Sequence, residues 1–194
     1  MIEKWLEPVY NLYDGYGYYF LQHGVPNTVL LAIQIVALSV FALWYYYDKK
    51  YVFRKLLFVI LFDYIVILLG STIIYRSYSE DVSWSLVPFW TYKAVLDGEK
   101  PLLMEIVLNV IAFIPIGLLA GCTIKRKRLV KVLVLGATVS IIIELGQLLL
   151  KKGFSELDDV IHNTTGCAIG LGFVYAIEYL VYTLIPTKKR YNGI

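Results

Sequence analysis

Charge is scarce in this chain. Asp, Glu, Lys and Arg make up 17% of its 194 residues, where a soluble domain carries about a quarter. That deficit, beside 59% hydrophobic residues, excludes an ordinary water-soluble domain. The net charge of +3 is too small to suggest a nucleic-acid partner. Cysteine is scarce too. Cys122 and Cys167 fall at different depths of different apolar blocks, which excludes a bridge between them and leaves two small apolar residues. Internal repeats and low-complexity tracts are missing. So are HExxH, GxSxG and any serine–histidine pairing at useful spacing, the usual signs of hydrolytic chemistry. No metal or cofactor is expected. "MIEKW" lacks a basic stretch followed by a short apolar core, so no cleavable leader is expected.

What is present is hydrocarbon in blocks of about 20 residues, the length that crosses a bilayer as a helix. The blocks predict an all-α polytopic membrane protein with five spans, at Thr28–Tyr47, Leu56–Tyr75, Leu102–Cys122, Leu129–Leu150 and Val160–Ile185. Basic residues mark alternate connections. Lys49, Lys50, Arg54 and Lys55 lie in the first, Lys125 to Arg128 and Lys131 in the third, and Lys188, Lys189 and Arg190 in the tail. Basic loops stay in the cytoplasm, which places the N-terminus outside and the C-terminus inside. Residues 1–27, rich in tyrosine, form an interfacial segment in this reading. Residues 28–185 form one helical domain and 186–194 a basic cytoplasmic tail. The stretch around residues 82–96, with "WSLVPFW" at its centre, is too polar to span. It is expected to lie on the outer leaflet or dip into it as a lid.

The polar residues inside the hydrocarbon carry the functional signal. With this topology Glu105 and Asn109, Glu144 and Gln147, Asp158, Asp159, His162 and Asn163, and Arg76 all fall near one depth, under the outer surface. At about 1.5 Å per residue, Glu144 lies about 9 Å below Leu150. Glu144, Gln147 and Lys151 share one helix face at i, i+3 and i+7. Asp159 and Asn163 share another, and Glu105 and Asn109 a third. Charge in hydrocarbon is costly unless it is paired or faces a wet interior, so these faces should enclose a polar pocket. Glu144 either pairs with a cation, Arg76 being the candidate, or carries its proton.

Each residue also has a structural reading. "SELD" reads as a capping box in which Ser155 accepts a first-turn N–H and Asp158 reaches back. Asn109 and Asn163 serve equally as helix-to-helix hydrogen bonds. Gly166, Gly170 and Gly172 would allow close helix approach, and Pro115 would kink its span and free the Ile111 carbonyl. His162 reads as a satisfied interfacial histidine. Asp63 and Glu178, in the inner halves of their spans, read as hydrogen-bonded or protonated carboxyls.

In order along the chain, Arg76 after an apolar span, "SLVPF", "NVIAFIPIGLL", "IELGQLL" and "ELDDVIHNTTGCAIG" resemble the VanZ-like family of bacterial membrane proteins. The resemblance covers about residues 75–172. Carried over with it are Arg76, Pro88, Asn109, Pro115, Gly117, Glu144, Gln147, Asp158, Asp159, Asn163 and Gly166. Two departures stand out: Ser85 replaces a frequent asparagine, and Lys151, Lys152 and Gly153 occupy a turn that often holds arginine. The founding member is associated with reduced susceptibility to teicoplanin-type lipoglycopeptides. The resemblance thus implies glycopeptide resistance without implying a reaction.

Three functions compete at this stage. The first is non-enzymatic binding of an amphipathic ligand, a lipoglycopeptide antibiotic or an envelope lipid. Arg76, Asn109, Glu144, Gln147, Asp158, Asp159 and Asn163 would contact it, with membrane lipids as neighbours. The second is an intramembrane enzyme acting on a lipid-linked envelope substrate, with Glu144, Asp158 and Asp159 as acid/base or metal-binding groups. The third is a small transporter or flippase, which the lack of a duplicated half disfavours.

Overall fold

A computed structural model describes residues 27–47, 51–76, 78 and 83–184. The expected interfacial segment before residue 27, Lys49 and Lys50, and the basic tail lie outside the described residues. Six helices and two short strands follow one another. They are α1 (Asn27–Tyr47), α2 (Val52–Leu69, continued by a π-helical turn Gly70–Ile74), β1 (Ser83–Ser85), α3 (Trp90–Leu96), α4 (Lys100–Thr123), α5 (Arg128–Leu149), β2 (Phe154–Glu156) and α6 (Leu157–Leu184).

Four of these segments are long and apolar enough to cross a membrane: Val52–Ile74, Lys100–Thr123, Arg128–Leu149 and Leu157–Leu184. Their bounds depart from the expected spans by a few residues, because helical hydrogen bonding runs past the hydrocarbon into polar residues such as Lys100 and Asp158. The expected first span, Thr28–Tyr47, falls on the helix α1 (Asn27–Tyr47), which is not among these four.

The core lies where α2, α4, α5 and α6 meet. Leu61, Leu68, Phe113, Ile116, Ala120, Val132, Val139, Ile143, Cys167 and Leu171 are buried there. Contact is closest between α4 and α6, and glycine is the reason. A Cβ on Gly117 would strike the carbonyl of Cys167, one on Gly166 that of Val110, and one on Gly170 that of Ile114. Small residues let backbones approach and dispersion contacts accumulate, which is how helices associate in lipid. Gly172 departs from expectation. Nothing lies within 4 Å of the Cβ position there, because α6 has turned that face away from α4.

Pro115 sits inside α4, where it cannot donate to the preceding turn. Two side chains donate to carbonyls nearby: Tyr64 Oη to Ala112 O at 2.8 Å and Cys167 Sγ to Phe113 O at 3.5 Å. Cys122 and Cys167 are both free thiols.

At one end of the bundle, where α4 ends and α5 begins, Lys125, Arg126 and Lys127 are exposed and Arg128 is paired. Arg128 holds Glu178 by two parallel bonds of 2.6 and 2.9 Å, with the guanidinium 5.3 Å from the Tyr175 ring centroid. Glu178 is therefore an ion-pair partner, fed by a basic loop the spans alone do not bring to it. Asp63 Oδ1 is buried and has no hydrogen-bond partner among the described residues. Between α1 and α2, towards this end, runs a groove of about 560 Å³ lined by apolar residues including Ile33, Val40, Trp44, Phe58 and Phe62. The polar residues singled out above are at the opposite end.

Candidate functional site

That opposite end is built from helix termini. A helix leaves its last carbonyls and first N–H groups without intrahelical partners, and here side chains from other elements supply them. At the end of α2, Gln147 Nε2 donates to Thr72 O at 3.2 Å and Lys152 Nζ donates to Ile74 O at 2.8 Å. The π turn at Gly70–Ile74 widens the last turn and aims these carbonyls towards α5. π turns inside transmembrane-length helices recur at functional sites.

At the start of α3, Asp158 does the converse. Its Oδ1 accepts from Phe89 N at 2.5 Å, and its Oδ2 from Thr91 N at 3.0 Å and Thr91 Oγ1 at 2.6 Å. Phe89 takes a left-handed conformation, φ 63°, uncommon for a bulky residue. That turn points the N–H groups of Phe89 and Thr91 at one carboxylate. Asp158 is fully buried, and the three charge-assisted bonds compensate its lost hydration.

The expected capping box is therefore not formed. Ser155 lies in β2, which pairs in parallel with β1 (Ser83 with Phe154, Trp84 with Ser155, Ser85 with Glu156). Asp158 spends both oxygens on a segment about 67 residues earlier in the chain. Extended pairing and a tertiary contact have displaced the local motif. The stretch 83–96 is thus fastened at three points: the strand pair, the Asp158 clasp and Trp90 Nε1 donating to Glu156 Oε2 at 3.1 Å. Trp90 also meets Phe154 edge-to-face at 5.7 Å. Pro88 is exposed in the turn before this helix.

Glu144 is buried on α5, with Gln147 and Ser140 on the same face. Its Oε2 accepts from the backbone N of Glu156 at 2.8 Å. Among the described residues Glu144 has no ion pair, so Arg76 is not its salt-bridge partner; the backbone N–H occupies that place. Arg76 is exposed, and its guanidinium lies across Gly153. A Cβ on that glycine would stand 2.9 Å from Arg76 Cζ and Nε, and φ there is +152°. Only glycine accepts both the backbone and the guanidinium.

On the α4 side, Asn109 Nδ2 donates to Asp159 Oδ1 at 2.7 Å. Asn163 Nδ2 donates to Ser140 Oγ at 2.8 Å, joining α6 to α5. Of the residues singled out from sequence, Asn109 and Asp159 meet each other. Glu144, Gln147, Asp158 and Asn163 each meet a group that the sequence reading had not assigned to the site. His162 is buried, and the reading of it as satisfied is overturned. Among the described residues neither ring nitrogen has a hydrogen-bond partner. Nδ1 stands 3.8 Å from Asp159 Oδ1, and the ring packs on Tyr92 at 5.3 Å.

Five participants escaped sequence reading: Trp90, Thr91, Ser140, Lys152 and Glu156. Lys152 and Glu156 are nearly fully buried, at 2% and 5% exposure. Each belongs to a short charged turn that reads as a solvated loop. Burial pushes the Glu156 carboxyl up to about 8, with the Asp159 and Glu105 charges adding to it and the Trp90 hydrogen bond opposing. Burial likewise lowers the Lys152 ammonium from its ordinary value. Among the described residues no group of three or more His, Cys, Asp or Glu side chains is arranged to hold a metal ion.

A family model described as VanZ/LLP1 matches residues 29–180. The chain belongs to that family. No curated protein matches it, and no solved structure does. The VanZ/LLP1 region takes in α1 and nearly all of α6, more than the residues 75–172 that carry the resemblance. The helix-end site lies inside it, and so do three of the four membrane-length helices and most of the fourth. This is a VanZ-like membrane protein.

Proposed function

We propose that the polar end of this VanZ-like protein faces the outside of a bacterial cytoplasmic membrane and binds an amphipathic ligand without transforming it. The ligand is an envelope lipid or a lipoglycopeptide antibiotic of the teicoplanin type. In this reading α1 is a fifth span, the N-terminus is outside, and the basic connections are cytoplasmic. The β1–α3 segment lies at the outer interface and closes over the site.

The observation that carries the reading is Arg76. Its exposed guanidinium is seated on Gly153 at the edge of the apolar helices. Among the described residues it has no ion-pair partner. A guanidinium fixed there holds a phosphate or carboxylate by two parallel hydrogen bonds, while lipid-facing helix surfaces accept the tail. Fixed polar groups on apolar walls suit such a ligand.

The enzyme alternative draws on Glu144, Asp158 and Asp159. Against it stands the employment of these groups: both Asp158 oxygens are committed to α3, and one Glu144 oxygen to Glu156. The test is a cell assay with a membrane-insertion control. Arg76→Ala should abolish protection against teicoplanin, or retention of the envelope lipid, at unchanged protein level in the membrane. Unaltered teicoplanin susceptibility on deletion of the gene would overturn the antibiotic version. Stoichiometric product formation from a polyprenyl-phosphate substrate would replace binding with catalysis.

A further inference from the structure

The α4–α6 side of the polar end carries the opposite charge from Arg76. Glu105 stands one helical turn before Asn109 and is exposed, Asp159 is partly exposed, and Glu156 lies behind them. The Glu105 and Asp159 charges both act on Glu156. Among the described residues no lysine or arginine forms an ion pair with any of these three. Asp159 Oδ1 takes one donor from Asn109, and Oδ2 has no donor among the described residues.

An acidic cluster alone identifies nothing, but this one has a buried neighbour aimed at it. His162 is 2% exposed, and both its nitrogens lack partners. Nδ1 is 3.8 Å from Asp159 Oδ1, too far for a direct bond. A buried polar group without a partner calls for an explanation, an absent ligand among them. One donor with several N–H groups, placed beside both atoms, satisfies the imidazole and the carboxylate together.

We propose that Asp159 and His162, with Glu105 one turn before Asn109 on α4, bind the primary ammonium group of the amphiphile. This rests on the reading that the polar end takes an amphiphile, and it identifies a second charged group on that ligand. A primary ammonium carries three N–H donors and one positive charge, matching Asp159 Oδ2, Glu105 and the His162 ring nitrogen. The aromatic neighbours Trp90 and Tyr92 offer the competing preference, since ring faces favour quaternary ammonium groups.

The experiment compares dodecylammonium with dodecyltrimethylammonium as ligands of the full-length protein in neutral micelles. The two probes share charge and tail, and only the first donates hydrogen bonds. Dodecylammonium should bind roughly tenfold more tightly, the value of a charge-assisted hydrogen bond or more. Asp159→Asn and Glu105→Gln should each bring the ratio close to one. Asp159→Asn keeps the oxygen that Asn109 needs, so the fold is retained. The His162 ring-nitrogen NMR signal should shift on adding dodecylammonium. Equal affinity for the two probes, or a preference that survives both substitutions, overturns the inference. A separate probe, dodecyl phosphate, tests the underlying reading: Arg76→Ala should weaken it about tenfold, and Asp159→Asn should not. Failure of dodecyl phosphate to bind leaves the ammonium result standing by itself, so the two failures are distinguishable.

Discussion

Asp158 is the residue on which the lid depends. It meets three donors, and removing it leaves the buried Thr91 N–H and hydroxyl without an acceptor. Asp158→Ala should therefore destabilise the protein by about 3 kcal/mol, and Asp158→Asn by roughly 1, since the amide keeps one accepting oxygen. Thermal unfolding in detergent checks the magnitudes, and limited proteolysis between residues 77 and 97 checks where the damage falls. Glu156 makes a prediction about pH. Its carboxyl is raised to about 8 in the folded protein, so between the ordinary carboxylate range and about 8 the folded state binds the extra proton. Stability should then be highest at the acidic side of that window and fall as pH rises through it, levelling off above about 8. In Glu156→Gln the same titration should be shallower over that interval; an unchanged slope in the variant would assign the proton elsewhere. None of this was visible in sequence at residue level. Ser155 and Asp158 match a capping box, and that match is real as a pattern. Asp158 nevertheless serves a helix that precedes it by some seventy positions, which local spacing cannot report.

Among the elements, legibility followed hydrocarbon. The helices α2, α4, α5 and α6 announce themselves because a membrane-length apolar block has few other stable forms. The two strands are three residues each, too short for alternation to register, and the residues they pair, such as Ser83 and Phe154, are far apart in sequence. The π turn leaves no compositional trace either, although it aims the two carbonyls that Gln147 and Lys152 cap. Glycine was informative at Gly166 and Gly170 and misleading at Gly172, because the residue type tells nothing about which face meets a neighbour. That contrast supports a prediction about the α4–α6 seam. Gly166→Ala or Gly170→Ala places a methyl against a carbonyl of α4 that cannot move without the helix, and should cost about 1–3 kcal/mol. Gly172→Ala meets open space and should be neutral or slightly stabilising, since alanine is the better helix former. Equal losses at all three positions in detergent unfolding would mean that the seam is set by something other than close approach.

For the molecule as a whole, the two ends are chemically unlike, and that difference predicts orientation. One end carries Lys125, Arg126 and Lys127 in an exposed turn, with Arg128 locking α5 to Glu178 of α6. The other mixes Arg76 and Lys151 with Glu105, Glu156, Asp158 and Asp159, and buries much of that charge under the β1–α3 segment. Positive residues in short loops are retained in the cytoplasm, while carboxylates have little say. The Lys125–Arg128 turn should therefore be cytoplasmic, whichever way the acidic end is counted. The check uses single cysteines at positions 76, 151, 155 and 126 in a background lacking Cys122 and Cys167. An impermeant maleimide added to intact cells should label 76, 151 and 155. Position 126 should react only after permeabilisation. The first three sit around the Gly153 turn and share one side by construction, so they must agree with one another. Were 126 to label in intact cells and the others not, the protein would be inverted. Arg76 could then bind no ligand arriving from outside, and a cytoplasmic lipid headgroup would become the occupant that its guanidinium fits.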